Sequence, residues 1–245
     1  MKIILTAAVL TISGIIPCYA SMTVNVESNY VSPGYYNDVQ IPKKSGTRFS
    51  LTDDFKTESS FGFRSEIVFG WGKRHSLSVF YAPLSLKASG TSEFDISFNG
   101  RSVPAGSEIE GIYRFDSYRS RYRYTITDTA RVKMAAGFTA KIRDAGITLK
   151  SGDVTISKLN TGFVPLLNFL YNIKLNDRWQ AEFDIDAMFS PYGRAEDAFL
   201  GLRYEAVPGR SINIGYRIVE GGADVDEVYN FTLIHYAVLG VSVKM

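Results

Sequence analysis

The chain has 245 residues, 45% of them hydrophobic and 21% charged, which excludes a disordered protein and fits one large domain or two small ones. Lys and Arg number 27 against 25 acidic residues, so bulk charge gives no basis for nucleic-acid binding. One Cys and two His exclude a disulfide framework and a His- or Cys-rich metal centre in one chain, while 15 Tyr and 16 Phe make it rich in aromatics.

Residues 1–20, MKIILTAAVLTISGIIPCYA, read as a cleaved signal peptide. Lys2 supplies the positive end, 3–16 the apolar stretch, and Cys18-Tyr19-Ala20 a small-x-small cleavage site. Pro17 argues against acylation of Cys18, and cleavage removes the only thiol. The mature domain is then 21–245, exported and compatible with an oxidising compartment. No later apolar run approaches the ~18 residues of a spanning helix.

Beyond the leader the recurring period is two. Two segments compete as the first strand, 22–30 and 47–52, and the first is favoured, which leaves the second in a loop or plug. Residues 61–71 set Phe61, Phe63, Ile67, Phe69 and Trp71 against Arg64 and Glu66. In 75–87, Pro83 marks a bulge or the strand's upper end. Residues 94–103 read as a small hairpin around Asn99-Gly100. In 108–127 the apolar face changes parity, from Tyr113 and Phe115 to Tyr118, Tyr122, Tyr124 and Ile126, which a β-bulge near Asp116-Ser117 would produce. Alternation continues through 131–143, 179–189, 198–206 and 212–218. A helical period would scatter these sets around its axis, so the elements are strands.

Counted back from the C-terminus, strands fall near 228–244, 211–219, 197–207, 178–190, 161–175, 130–144, 109–127, 75–87 and 59–72. Tight turns at 72–75, 127–129, 176–178 and 207–210 alternate with longer polar connections near 88–106, 144–160, 190–196 and 219–227. One rim of short turns and one of long loops describes an all-β, up-and-down antiparallel barrel. Rim parity requires ten strands; eight is the alternative. The runs are long enough to cross a bilayer at the usual tilt. Aromatics gather at both ends, with Trp71, Tyr124, Trp179 and Tyr204 near the short turns. Phe61, Phe63, Phe189, Tyr192, Tyr229 and Phe231 lie near the long loops. That is the pattern of two interfacial girdles, so the apolar face is expected to meet lipid and the charged face the lumen.

With Gly240, Val243 and Met245 in a Gly-x-x-hydrophobic-x-hydrophobic ending, the chain resembles the small outer-membrane β-barrel proteins of Gram-negative bacteria. The likeness spans nearly the whole mature sequence, although the terminal aromatic common in that class is absent. YNDVQIP (36–42) and EGGADVDEVYNF (220–231) resemble signatures of a functionally unassigned barrel family. The resemblance implies an outer-membrane location, with lipid, lipopolysaccharide and the barrel assembly machinery as partners.

The inward face is expected to carry Arg119, Arg121, Arg123, Arg131, Lys133, Lys141 and Arg143, then Glu182, Asp184 and Asp186, with Arg203 and Glu205 beside them. Such charges either pair across a narrow lumen and fill it, or form a constriction that orients small polar solutes. An enzyme acting on lipid A or phospholipid needs a general base. His75 lies in a short turn, which leaves His235 as its candidate, on a face that meets lipid. Asp224, Asp226 and Glu227, with Glu196 and Asp197 nearby, offer oxygen ligands for a divalent cation or simply a solvated acidic loop, while Gly221-Gly222 reads as a sharp turn. No cofactor is expected. The resulting expectation is a structural, adhesive or narrow permeation barrel that is not an enzyme. A lipid-modifying enzyme and a soluble periplasmic ligand-binding barrel are the alternatives.

Overall fold

The computed structural model describes residues 21–245; the expected signal peptide, 1–20, lies outside the described residues. β1 (Ser21–Gln40) is followed by two short strands, β2 (Phe49–Ser50) and β3 (Lys56–Thr57), and then by β4 (Ser60–Trp71), β5 (His75–Ala82) and β6 (Ser85–Thr91). A hairpin of β7 (Ile96–Phe98) and β8 (Arg101–Val103) turns at Asn99 and Gly100, both at positive φ. The long strands follow: β9 (Glu108–Asp128), β10 (Val132–Ser151), β11 (Val154–Lys174), β12 (Trp179–Ser190), β13 (Gly193–Val207), β14 (Arg210–Val225) and β15 (Val228–Lys244).

β5 and β6 lie end to end along β9 and act as one wall strand, interrupted at Pro83 and Leu84. Phe115 N donates to the Leu84 carbonyl and Leu84 N to Asp116 Oδ1, so the break is stitched and the strand resumes beyond it. β15 closes on β1 from Thr23–Lys244 to Gln40–Tyr229, which makes a closed antiparallel barrel of ten wall strands. The first strand is therefore the 22–30 segment extended to Gln40, and the eight-strand alternative is ruled out. The competing 47–52 segment is a plug: Phe49 and Leu51 are buried beneath the wall.

Two expectations about the chain path need correction. β9 has no bulge at Asp116-Ser117: its pairing with β10 is unbroken from Thr125–Ala135 to Glu110–Lys150, and the register shift lies at the other end, beside Ile126. Odd-numbered side chains point inward throughout. What reverses is the surroundings. Below Ser117 the outward Tyr118, Tyr124 and Ile126 are exposed while Arg119 and Arg121 are buried. Above it Ile109 and Tyr113 are buried inside, and the outward Arg114, Asp116 and Asp144 bond to one another. The strand thus leaves lipid, where apolar groups belong outside, and enters water, where they belong inside.

The same inversion explains why 144–160, 190–196 and 219–227 are not long loops. β10 and β11 continue as a hairpin past the apolar band and bury Ile147, Leu149 and Ile156 on the inner face. β12–β13 and β14–β15 likewise meet in tight turns. The long connections are 41–59 and 92–107, and both fold inward. Their Phe49, Phe55, Ile96, Phe98 and Val103 join Val31, Val39, Leu86, Ile109 and Ile234 in one apolar core that caps the barrel. Tyr229 and Phe231, expected in a girdle, stand above the lipid band and support Arg48 and Arg194 at 4.5 and 4.7 Å from their ring centroids.

The wall is uneven between β11 and β12. Their ladder runs from Lys174–Gln180 to Leu167–Ala187 and stops, although β11 continues upward to Val154.

Candidate functional site

The middle of the lumen is filled by charge. Five arginines on three wall strands (Arg64, Arg119, Arg121, Arg123 and Arg217) meet five carboxylates, Glu27, Glu66, Asp184, Asp186 and Asp197. Asp186, 0% exposed, accepts from Arg119 Nη1 at 2.9 Å, Arg121 Nη2 at 2.6 Å, Thr139 Oγ1 at 2.7 Å and Asn168 Nδ2 at 2.9 Å. Asp197 draws in Arg64 at 2.9 Å, Arg119 at 2.7 Å and Arg217 at 2.8 Å. The Phe80 ring lies beneath the guanidinium groups of Arg64, Arg119 and Arg121, at 4.4, 5.1 and 4.7 Å. Planar guanidinium groups suit this geometry because each presents several donors in a rigid fork. The gap left beside the network, against Arg64, Glu66 and Arg217, is about 40 Å³, space for about three waters.

Of the residues expected in the lumen, Arg119, Arg121, Arg123, Asp184 and Asp186 form this network, and Glu182 pairs with Arg203 at 3.0 Å lower down. Arg131 and Lys133 are instead exposed by the short-turn mouth, and Glu205 accepts from Gly209 N in the 207–210 turn. Arg143 lies higher, bonded to Asn160. Lys141 is 3% exposed and forms no ion pair among the described residues. Arg64, Asp197, Arg217, Glu27 and Glu66 complete the set. Strand parity points to Asp197, which opens the expected 197–207 strand and shares its face with Arg203 and Glu205; it belongs to the lumen and not to the acidic turn with which it is grouped above.

The acidic turn is tied down by lysines. Asp224 pairs with Lys43 and Asp226 with Lys44, so these carboxylates clamp the 41–59 connection, and no cluster of metal-ligating side chains occurs among the described residues. Gly221 and Gly222 sit inside β14 and do not turn the chain. A Cβ on Gly222 would stand 1.9 Å from the Asn230 carbonyl oxygen, so glycine there permits close strand approach. His235 faces outward, as its parity implies, with its ring stacked on Tyr216 and Nδ1 hydrogen-bonded to the Tyr216 hydroxyl at 2.5 Å. His75 makes the corresponding contact with Tyr122 at the other rim, 2.8 Å.

No family model and no curated protein matches this chain. Among solved structures, the outer-membrane protease OmpT of Escherichia coli matches with a TM-score of 0.56 at 8% identity, over 92% of this chain and 96% of that one. The chain has the closed antiparallel fold of the outer-membrane β-barrels. Ail, the attachment invasion locus protein of Yersinia pestis, matches at a TM-score of 0.41 and 11% identity, over 92% and 99% of the two chains. The translocator domain of the autotransporter NalP from Neisseria meningitidis gives 0.47 and 11%, over 91% and 88%. At such identities the likeness concerns the fold alone.

Proposed function

We propose that this protein is an outer-membrane barrel sealed along its axis, with a structural or adhesive role carried by its capped outer half. The supporting observation is the ion-pair network across the lumen. Every carboxylate in it is engaged by arginine, as a filled interior requires, because an unpaired buried charge costs several kcal/mol. A constriction built to pass solutes needs water between its charged walls, and the gap of about 40 Å³ holds little. The buried core of 41–59 and 92–107 forms a second barrier above.

The expected result in planar bilayers is no steady conductance from the wild-type protein. A variant with Arg119, Arg121 and Asp186 all replaced by Ser, and the barrier above released by Phe49→Ala, should open small ohmic channels. Stable wild-type conductance that shifts with Arg121→Gln would restore the permeation reading.

The enzyme alternative keeps His235 as its base. Its Nδ1 is engaged by a tyrosine, not by a carboxylate that would orient it or a hydroxyl poised as nucleophile on the same face. His235→Ala is expected to leave the lipid A and phospholipid profiles of whole cells unchanged by mass spectrometry. A lost or shifted acyl species would reverse that.

A further inference from the structure

The place where the β11–β12 ladder ends is chemically marked. Lys174 N donates to Arg131 O on the β10 side, and Leu175 N donates to Trp179 O on the β12 side. Because N–H direction alternates along a strand, odd-numbered residues of β11 face β12. The register of β11 with β10 is unbroken, so Pro165 would have to supply the next donor towards β12, and proline has none. Its partner on the missing rung would be Phe189, two residues above the last pair, Leu167–Ala187. The wall therefore parts at Pro165 and Phe189 by loss of a hydrogen bond that the sequence cannot make.

Behind this parting lies a cavity of about 290 Å³, bounded by Phe115, Met188, Val219 and Ile234, with Lys141 and Arg143 on its β10 wall. It approaches the lower end of the 300–1,000 Å³ usual for ligand pockets. A cavity of about 150 Å³ holds benzene, so this one takes about a dozen heavy atoms. The groups flanking the parting are apolar and exposed: Phe163 67%, Leu167 71%, Phe189 65% and Tyr192 72%. On the neighbouring strand Ile142, paired with Phe163, still faces lipid, whereas Asp144 two residues on is polar. The opening thus lies at the outer edge of the apolar band.

The polar side of the cavity holds more donors than acceptors, and the ammonium of Lys141 rests on the Phe115 ring, 4.5 Å from its centroid, without a carboxylate. Five arginines balance five carboxylates in the network below, which leaves Lys141 as a surplus buried cation one rung from Pro165. Among the described residues, Arg143 Nε and Thr232 Oγ1 are buried without a hydrogen-bond partner, and both residues line the cavity. Glu220, the carboxylate at the far rim, is already held by Arg194 and Tyr36. Buried donors that converge on an amphipathic cavity call for an acceptor that brings negative charge with it.

We propose that this cavity binds a single-chain anionic amphiphile, a fatty carboxylate or alkyl phosphate, which enters sideways from the outer leaflet between β11 and β12. The head lies against Lys141, Arg143 and Thr232; the chain runs past Phe115 and Met188 and leaves through the parting. This site is independent of whether the barrel conducts along its axis.

The test uses the full-length protein, delipidated and placed in nanodiscs, with decanoate, decyl phosphate, palmitate and decanol as probes. Saturable binding of decanoate or decyl phosphate is expected, with decanol about tenfold weaker or more because it lacks the charge. Lys141→Gln should weaken anion binding by about tenfold or more, and Lys141→Arg should restore it. Ala195→Trp, which narrows the cavity without touching a charge, should abolish it. Heat-modifiable migration on gels checks that each variant remains a folded barrel. Palmitate, too long to be enclosed, should bind at least as well as decanoate; a sharp loss on lengthening the chain would overturn sideways entry. Binding of neither anion, or equal binding by wild type and Lys141→Gln, overturns the proposal.

Discussion

Asp186→Asn is expected to destabilise the folded barrel by about 3–5 kcal/mol, the scale for removing one member of a buried ionic cluster. Asn preserves the shape and one acceptor, so packing changes little and the loss reports the charge itself. Asp186 is inaccessible to solvent and receives two arginines, a threonine hydroxyl and an asparagine amide. After substitution Arg119 retains Asp197, and Arg121 retains Asp184 and a longer contact to Glu66. The network is then one negative charge short in a space that water hardly enters. Urea titration of the barrel in detergent should show the shift in midpoint. Glu205→Gln at the short-turn mouth serves as the control, expected within about 0.5 kcal/mol of wild type because that carboxylate is partly solvated. Equal midpoints for the two variants would mean that the central charges are not structural.

Phe49→Ala is expected to release the cap while leaving the lipid-embedded wall intact. Phe49 is 2% exposed and meets Phe55 and Phe98 edge to face, with centroids at 6.2 and 6.0 Å, so it joins both inward-folded connections. Truncating a buried Phe costs about 3–5 kcal/mol. Here the cost falls on a core that belongs to the water-facing half of the molecule. If opening of the cap is fast relative to cleavage, trypsin should cut at Lys43, Lys44 and Lys56 about 100-fold faster than in wild type, following the population of the open form. The urea midpoint of the wall should move far less. A variant that is cut no faster would show that the lysine–aspartate clamps at Asp224 and Asp226 hold the connection without the core.

Much of the wall was legible in the chain because a strand with lipid on one side and charge on the other must alternate. Strand number, the short-turn rim, the hairpin at Asn99-Gly100 and the outward direction of His235 all follow from that period and from turn chemistry. The expected bulge in β9 and the overlong connections failed for a common reason. Alternation by itself predicts an apolar face that meets lipid along the whole strand. Once the strands rise past the band, the same parity carries Ile109, Tyr113, Ile147 and Leu149 inward. A local pattern cannot tell these two environments apart. The lumen network was half legible: parity placed Arg119, Arg121, Asp184 and Asp186 inside, but only closure of the barrel shows which arginine meets which carboxylate.

By itself, the sequence determined that this is an alternating β-barrel with a charged interior and aromatic ends, because side-chain direction along a strand is set by the backbone. Tertiary structure alone decided that the charges cancel across the axis, that 41–59 folds inward as a plug, and that the wall parts beside Pro165. These outcomes depend on which strands become neighbours and where each crosses from lipid to water. Residues such as Lys141 and Pro165 acquire their meaning only from partners that lie far away in the chain, or from the absence of one.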